Sequence, residues 1–175
     1  MILPFENISP KIHETCFLAS QSVVIGDVEI GEESSVWFNT VIRGDVHTIR
    51  IGKMTNIQDL SLVHVTNREA PKPANTVIGD EVTIGHRVIV HGCTIGNRCL
   101  IGMGSVILDG AVIEDDCIIG AGALVTPNTR IPAGHMALGS PAKVVRPLTD
   151  IEKTFIRLSA ANYAELAKKY KSQKI

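Results

Sequence analysis

The sequence predicts an all-β solenoid, a parallel β-helix with one C-terminal α-helix packed along it. Three observations carry that prediction. From Ile95 onward an apolar residue recurs at every sixth position: Ile95, Ile101, Ile107, Ile113, Ile119, Val125, Ile131 and Ala137. Four places after most of these stands a small residue: Cys99, Ser105, Ala111, Cys117, Ala123 and Thr129. The composition is 45% hydrophobic but only 4% aromatic. A six-residue period is too short for helical repeats and belongs to parallel β-helices. Three hexads close one triangular coil, the aliphatic residue pointing inward and the small residue filling the corner. Coils stack at the inter-strand spacing of about 4.8 Å. So narrow a prism has no room for rings, which accounts for the composition.

Taken in order, residues 1–17 repeat only weakly and read as an N-terminal cap. The solenoid occupies 18–148 and the helical segment 149–175, all within one domain. Earlier runs keep the period: Ile30, Val36, Ile42; Ile51, Ile57, Val63; Ile78, Ile84, Val90. Gly31, Gly52, Gly79, Gly85, Gly96, Gly102 and Gly120 directly follow their aliphatic residue, as suits a chain turning a corner. Three irregularities stand out. Val46 to Arg50 adds three residues between hexads, Thr66 to Thr76 forms a polar, proline-containing loop, and the step from Val90 to Ile95 is one residue short. After Ala142 the period ends. Thr149 and Glu152 have capping-box spacing, and Ile151, Phe155 and Leu158 follow at helical spacing, predicting a helix from Asp150 to about Lys171. Its apolar side and Tyr163 are expected to lie against the prism.

The formal net charge of −1 gives no electrostatic case for nucleic acid or an anionic membrane. No apolar run approaches the roughly 20 residues that span a bilayer, and the first residues lack the pattern of a signal peptide. Cys16, Cys93, Cys99 and Cys117 form no CxxC pair. The expectation is a cytoplasmic protein with reduced thiols. Cys99 and Cys117 take the small inward position, while Cys93 lies off that register.

The chemistry concentrates in three histidines. Ile42, Val63 and Val90 fall in one column, so His64 and His91, which follow two of them, stack outward from successive coils about 5 Å apart. That spacing suits two ligands of one metal. His86 belongs to the preceding column and projects from another part of the triangle, from which it does not easily reach the same ion; a second copy of the chain could supply it. A cyclic trimer fits that need. Imidazole ligation with one open position suits catalytic Zn²⁺, and Fe²⁺ or Co²⁺ also fits. Arg43 occupies the outward position one coil from His64, and with Asp45 it forms a pair suited to a subunit seam. Gln58 can orient a water or a substrate oxygen, and Asn56 can satisfy turn backbone. His13, His47 and His135 stand apart and receive no role.

Three segments, "RGD" at Arg43 to Asp45, "NIQDLSLVH" at Asn56 to His64 and "GHRVIVHG" at Gly85 to Gly92, together resemble the gamma-class carbonic anhydrases and their bacterial hexapeptide-repeat relatives. The resemblance covers nearly the whole chain and implies a left-handed β-helix. It implies a homotrimer with metal sites at subunit interfaces, His64 and His91 from one subunit and His86 from the next. It further implies reversible hydration of CO₂ to bicarbonate by a metal-bound hydroxide, an intersubunit salt bridge of Arg43 with Asp45, and Gln58 hydrogen-bonding near the metal water. Tyr163 resembles a tyrosine that reaches the metal pocket in some relatives; packing of the helix accounts for it equally well.

The sequence departs from active members at two points. Val46 stands where they carry a glutamate after the aspartate, and Asn67 where they carry one in an acidic loop. Glu69 lies close by, in a loop made basic by Arg68 and Lys72. Weak hydration is therefore expected. Two alternatives remain open: a hexapeptide-repeat acyltransferase using acyl-CoA, to whose end-cap Gly139 to Arg146 is similar, and a non-catalytic metal-binding assembly protein.

Overall fold

The computed structural model describes residues 1–173, so the last two positions of the segment 149–175 lie outside the described residues. The hexads form strands of two or three residues, such as Thr83–Ile84, Leu100–Ile101 and Ile118–Ile119, each ended by a corner. Equivalent strands of successive coils pair in parallel and in register. On one face the inward residues Val36, Ile57, Ile84, Ile101, Ile119 and Ala137 are register partners in turn. A second column runs Val24, Ile42, Val63, Val90, Ile107, Val125. The third runs Ile30, Ile51, Ile78, Ile95, Ile113, Ile131. All three columns are buried and make one continuous core. The chain is a parallel β-solenoid, as its period requires.

The extra residues at Val46 to Arg50 are absorbed by one long strand, Val41–Ile51, which bends from the second face to the third. The loop after His64 is pinched by a bridge between Thr66 and Ala74 and tied down by Arg68, which donates to Asp27 at 3.0 Å. At the N-terminus, Ile2–Leu3 and Lys11–Ile12 add parallel strands beside Val23–Ile30. Among the described residues no helix is long and apolar enough to cross a membrane.

Two expectations are corrected. The glycines that follow the aliphatic column do not supply the left-handed backbone at the corners; Met54, Leu60, Arg87, Arg98 and Asp116 do, with φ between 51° and 61°. The glycines instead allow the coils to approach. A Cβ on Gly52 would lie 2.7 Å from the backbone of Gly79, and one on Gly79 would lie 2.8 Å from that of Gly96.

The second correction concerns the helix, Asp150–Gln173. Its capping box forms, with the Thr149 amide donating to Glu152 at 2.8 Å and the Glu152 amide to Thr149 Oγ1 at 3.3 Å. The stripe of Ile151, Phe155 and Leu158, however, faces outward at 82%, 59% and 55% exposure. Ile156, Ala160, Ala164 and Ala167 are buried instead. Small side chains at three- and four-residue spacing let the helix backbone come close to the first face, along which it runs back until Lys171 reaches the Glu14 carbonyl. Between helix and prism lie Phe17, Trp37, Phe38, Tyr163 and Tyr170, five of the seven aromatic residues. The rings excluded from the prism thus cement the helix to its outside.

The buried columns define a stability test. Ile101 is wholly inaccessible, and the coils above and below it are fixed by backbone hydrogen bonds. Because those coils cannot collapse into the space, Ile101→Ala is expected to cost about 2–5 kcal/mol in chemical denaturation. A loss below about 1 kcal/mol would show that the coils relax into the cavity.

Candidate metal centre

His64 and His91 are direct register partners on adjacent strands, Leu62–His64 and Ile89–His91. Their alternation places both rings outward, with centroids 5.1 Å apart. His64 Nδ1 lies 3.2 Å from His91 Nε2. The remaining ring nitrogens face carboxylates: His64 Nε2 is 3.1 Å from Asp45 Oδ1, and His91 Nδ1 is 3.0 Å from Asp109 Oδ1. A carboxylate accepts and does not donate, so these partners assign N–H to the outer nitrogen of each neutral ring. The inner nitrogens, 3.2 Å apart, are then both unprotonated, a pairing that a cation held by both would relieve. Tetrahedral ligation at 2.0–2.1 Å would separate two nitrogens by about 3.3 Å, so the pair fits a divalent metal.

The local charges favour neutral His64. Its pKa is lowered, chiefly by burial, with Arg43 and His91 contributing against the pull of Asp45. Burial pushes the Asp45 carboxyl upward, but hydrogen bonds from Arg43 and His64 outweigh it and hold the group below the usual range. Arg43 Nη1 donates to Asp45 Oδ2 within the one chain described.

His86 follows the same rule at a different corner. Its Nδ1 lies 2.7 Å from Asp59 Oδ2, which leaves Nε2 as the free nitrogen on a side chain that is 40% exposed. Among the described residues, no three His, Cys, Asp or Glu side chains converge on a metal-holding point. His86 instead shares a pocket of about 270 Å³ with Gln58, Met103, Ser159 and Tyr163. Gln58 is buried and donates through Nε2 to Asn56 Oδ1 at 3.1 Å, while Asn56 Nδ2 donates to Thr83 Oγ1 at 3.0 Å. Asn56 therefore holds Gln58 as well as satisfying the corner. Tyr163 packs edge-on against Trp37 and also lines the pocket, its pKa raised by burial and then by the charge of Asp59.

Comparison with known proteins identifies the lineage. The model of the bacterial transferase hexapeptide family (six repeats) matches residues 9–44, 75–109 and 92–127. The chain is 46% identical to a carbonic anhydrase of Geobacillus kaustophilus, over 98% of this chain and 92% of that protein. It is 48% identical to the mitochondrial gamma carbonic anhydrase 1 of Arabidopsis thaliana, over 94% of this chain and 60% of the plant protein. The chain belongs to the gamma carbonic anhydrase-like family of hexapeptide-repeat proteins. A solved structure of a putative acetyltransferase from Bacillus cereus has the same architecture, with a TM-score of 0.94 and 44% identity over 99% of this chain and 98% of that one.

Within this carbonic anhydrase-like chain, sequence reasoning passed over two carboxylates. Asp59, in "NIQDLSLVH", reads equally well as corner chemistry and as a site residue, and Asp109 carries no signal of its own in the sequence. Counting coils does not find Asp109: the coil here is 17 residues, pairing Val90 with Ile107, whereas Asp109 follows His91 by 18. Cys93, off the register, is nevertheless buried, and burial pushes its thiol up to about 12. The His13 ring lies beside Thr15 and Glu32, His47 Nδ1 accepts from the Thr48 amide, and His135 Nδ1 lies beside the Ala133 carbonyl.

Proposed function

We propose that this protein is a metal-dependent, gamma-class carbonic anhydrase-like enzyme that interconverts CO₂ and bicarbonate. The observation that carries this reading is the pair of adjacent ring nitrogens, His64 Nδ1 and His91 Nε2, 3.2 Å apart, each ring tied to an aspartate through its other nitrogen. Membership of a family that includes named carbonic anhydrases supports it.

The third ligand is His86 of a neighbouring copy, which makes the working form a homotrimer with three seam sites. Held by three neutral imidazoles, Zn²⁺, Fe²⁺ or Co²⁺ would supply a Lewis acid that turns water into a nucleophile. The chain's own groups do the rest. Asp45, Asp59 and Asp109 orient the three rings. Gln58, fixed by Asn56, presents its amide on the His86 side, where it can hold a substrate oxygen. Tyr163 and Met103 supply the wall of that side. The location expected from the sequence is cytoplasmic.

One observation favours a second reading. A histidine 2.7 Å from a carboxylate, beside an open pocket, is also the arrangement of a general base in acyl transfer. The deciding experiment is stopped-flow CO₂ hydration by anaerobically purified protein with its metal content determined. Activity that tracks bound metal and vanishes on chelation is expected. Metal-free protein that transfers an acyl group from acyl-CoA through His86 would establish the rival.

A further inference from the structure

The short step between Val90 and Ile95 has a consequence at the metal centre. The hexad there lacks one residue, and the chain takes up the difference at Gly92, whose φ is +55°. Gly92 donates its amide to the His64 carbonyl at 3.2 Å and accepts from the Gly110 amide at 2.7 Å, so it is locked between the coils before and after. A Cβ on Gly92 would lie 2.1 Å from Asp109 Oδ1. The missing side chain thus vacates the space through which the next coil's carboxylate reaches His91. Asp109 Oδ1 lies 3.0 Å from His91 Nδ1 and accepts at 2.6 Å from Oγ1 of Thr66, which follows His64 by two residues. Three consecutive coils therefore meet at one oxygen atom.

We propose that Asp109, gripped by Thr66 and admitted by Gly92, is the positioning residue that fixes which nitrogen of His91 faces the metal. The inference rests on the metal-centre reading and deepens it. His91 can rotate about its side-chain bonds and can carry its proton on either nitrogen. A carboxylate at Nδ1 selects the tautomer with a bare Nε2, and it selects the ring orientation that aims Nε2 at His64. Such outer partners typically change metal affinity about 10–100-fold. Asp45 does the same for His64 but divides its charge with Arg43, so its removal would disturb two partners. Asp109 is shared with an uncharged hydroxyl, which makes its effect separable.

The test is titration of the metal-free, full-length protein with Co²⁺ and Zn²⁺, reading affinity by chelator competition and ligand geometry from the visible Co²⁺ spectrum. Asp109→Ala is expected to weaken binding about 10–100-fold and to shift the Co²⁺ bands. Asp109→Asn, which keeps an acceptor oxygen, should recover much of the loss. Gly92→Ala should reproduce the Asp109→Ala result although the aspartate is intact. If Asp109→Ala also lowers the melting temperature of the metal-free protein, Thr66→Val decides. An altered Co²⁺ spectrum in that variant upholds the grip, and an unchanged one overturns it. Wild-type affinity and spectrum in Asp109→Ala would overturn the positioning role while leaving the three-histidine centre standing. A wild-type protein that takes up no Co²⁺ through His64 and His91 would overturn both.

Discussion

Mixing His86→Ala chains with His64→Ala chains is expected to restore metal centres that neither variant forms by itself. In the proposed homotrimer each variant would lack one of three ligands at every seam, so both should bind metal weakly and show background hydration. In a mixed ring, a seam becomes complete wherever a His86→Ala chain, which keeps His64 and His91, meets the His86 of a His64→Ala chain. With random assembly about one quarter of the seams qualify, because each of two neighbours must be of the right kind and order. Metal content and activity should therefore rise together from background to about one quarter of the wild-type level. The physical ground is the column geometry. His64 and His91 share a face and a register, whereas His86 stands at another corner, beside Gln58 and Tyr163. If the mixture stays at background while monomeric wild-type protein binds metal through all three histidines, the intersubunit geometry is wrong.

The same column geometry explains what is legible in the sequence. A strict period converts residue numbers into positions, so the stacking of His64 on His91 and the separation of His86 follow from counting hexads. The buried columns and the exclusion of aromatic rings follow from the same count. What resisted counting lies where the chain meets something outside its own period. The helix offers two stripes at helical spacing, and nothing in its own sequence says which one the prism accepts. The surface to be covered, Phe17, Trp37 and Phe38, takes alanines and excludes Phe155 and Leu158. The glycines misled for a related reason. Their value lies in contact between successive coils, as of Gly31 with Gly52 and Gly52 with Gly79, and not in their own backbone angles. Asp59 and Asp109 gain a meaning only from the histidines beside them, His86 and His91.

Hydration activity is expected to be limited by proton export and to rise with the concentration of an imidazole-type buffer. Each turnover toward bicarbonate leaves a proton that must reach bulk water, and a mobile group that carries it contributes about 10²–10⁴-fold. Neither position at which active relatives place a glutamate can do this here. Val46 packs against the core, and Asn67, which does not ionise, accepts the Glu69 amide at 2.9 Å within its own turn. The neighbouring Arg68 is engaged with Asp27. Asn67→Glu should therefore raise turnover in dilute buffer, by up to about 10²–10⁴-fold, and should do so without changing metal content. At saturating buffer the variant and the wild type should converge, because the external base then does the work of the side chain. High wild-type turnover in dilute buffer would contradict this and direct attention to Glu69, which lines the same pocket of about 340 Å³ as Asp45. In that case Glu69→Gln should abolish the advantage and imidazole should restore it. Full metal loading with no turnover at any buffer concentration would leave the non-catalytic, metal-binding role, since a ligand cage complete enough to hold the ion would then lack only the chemistry.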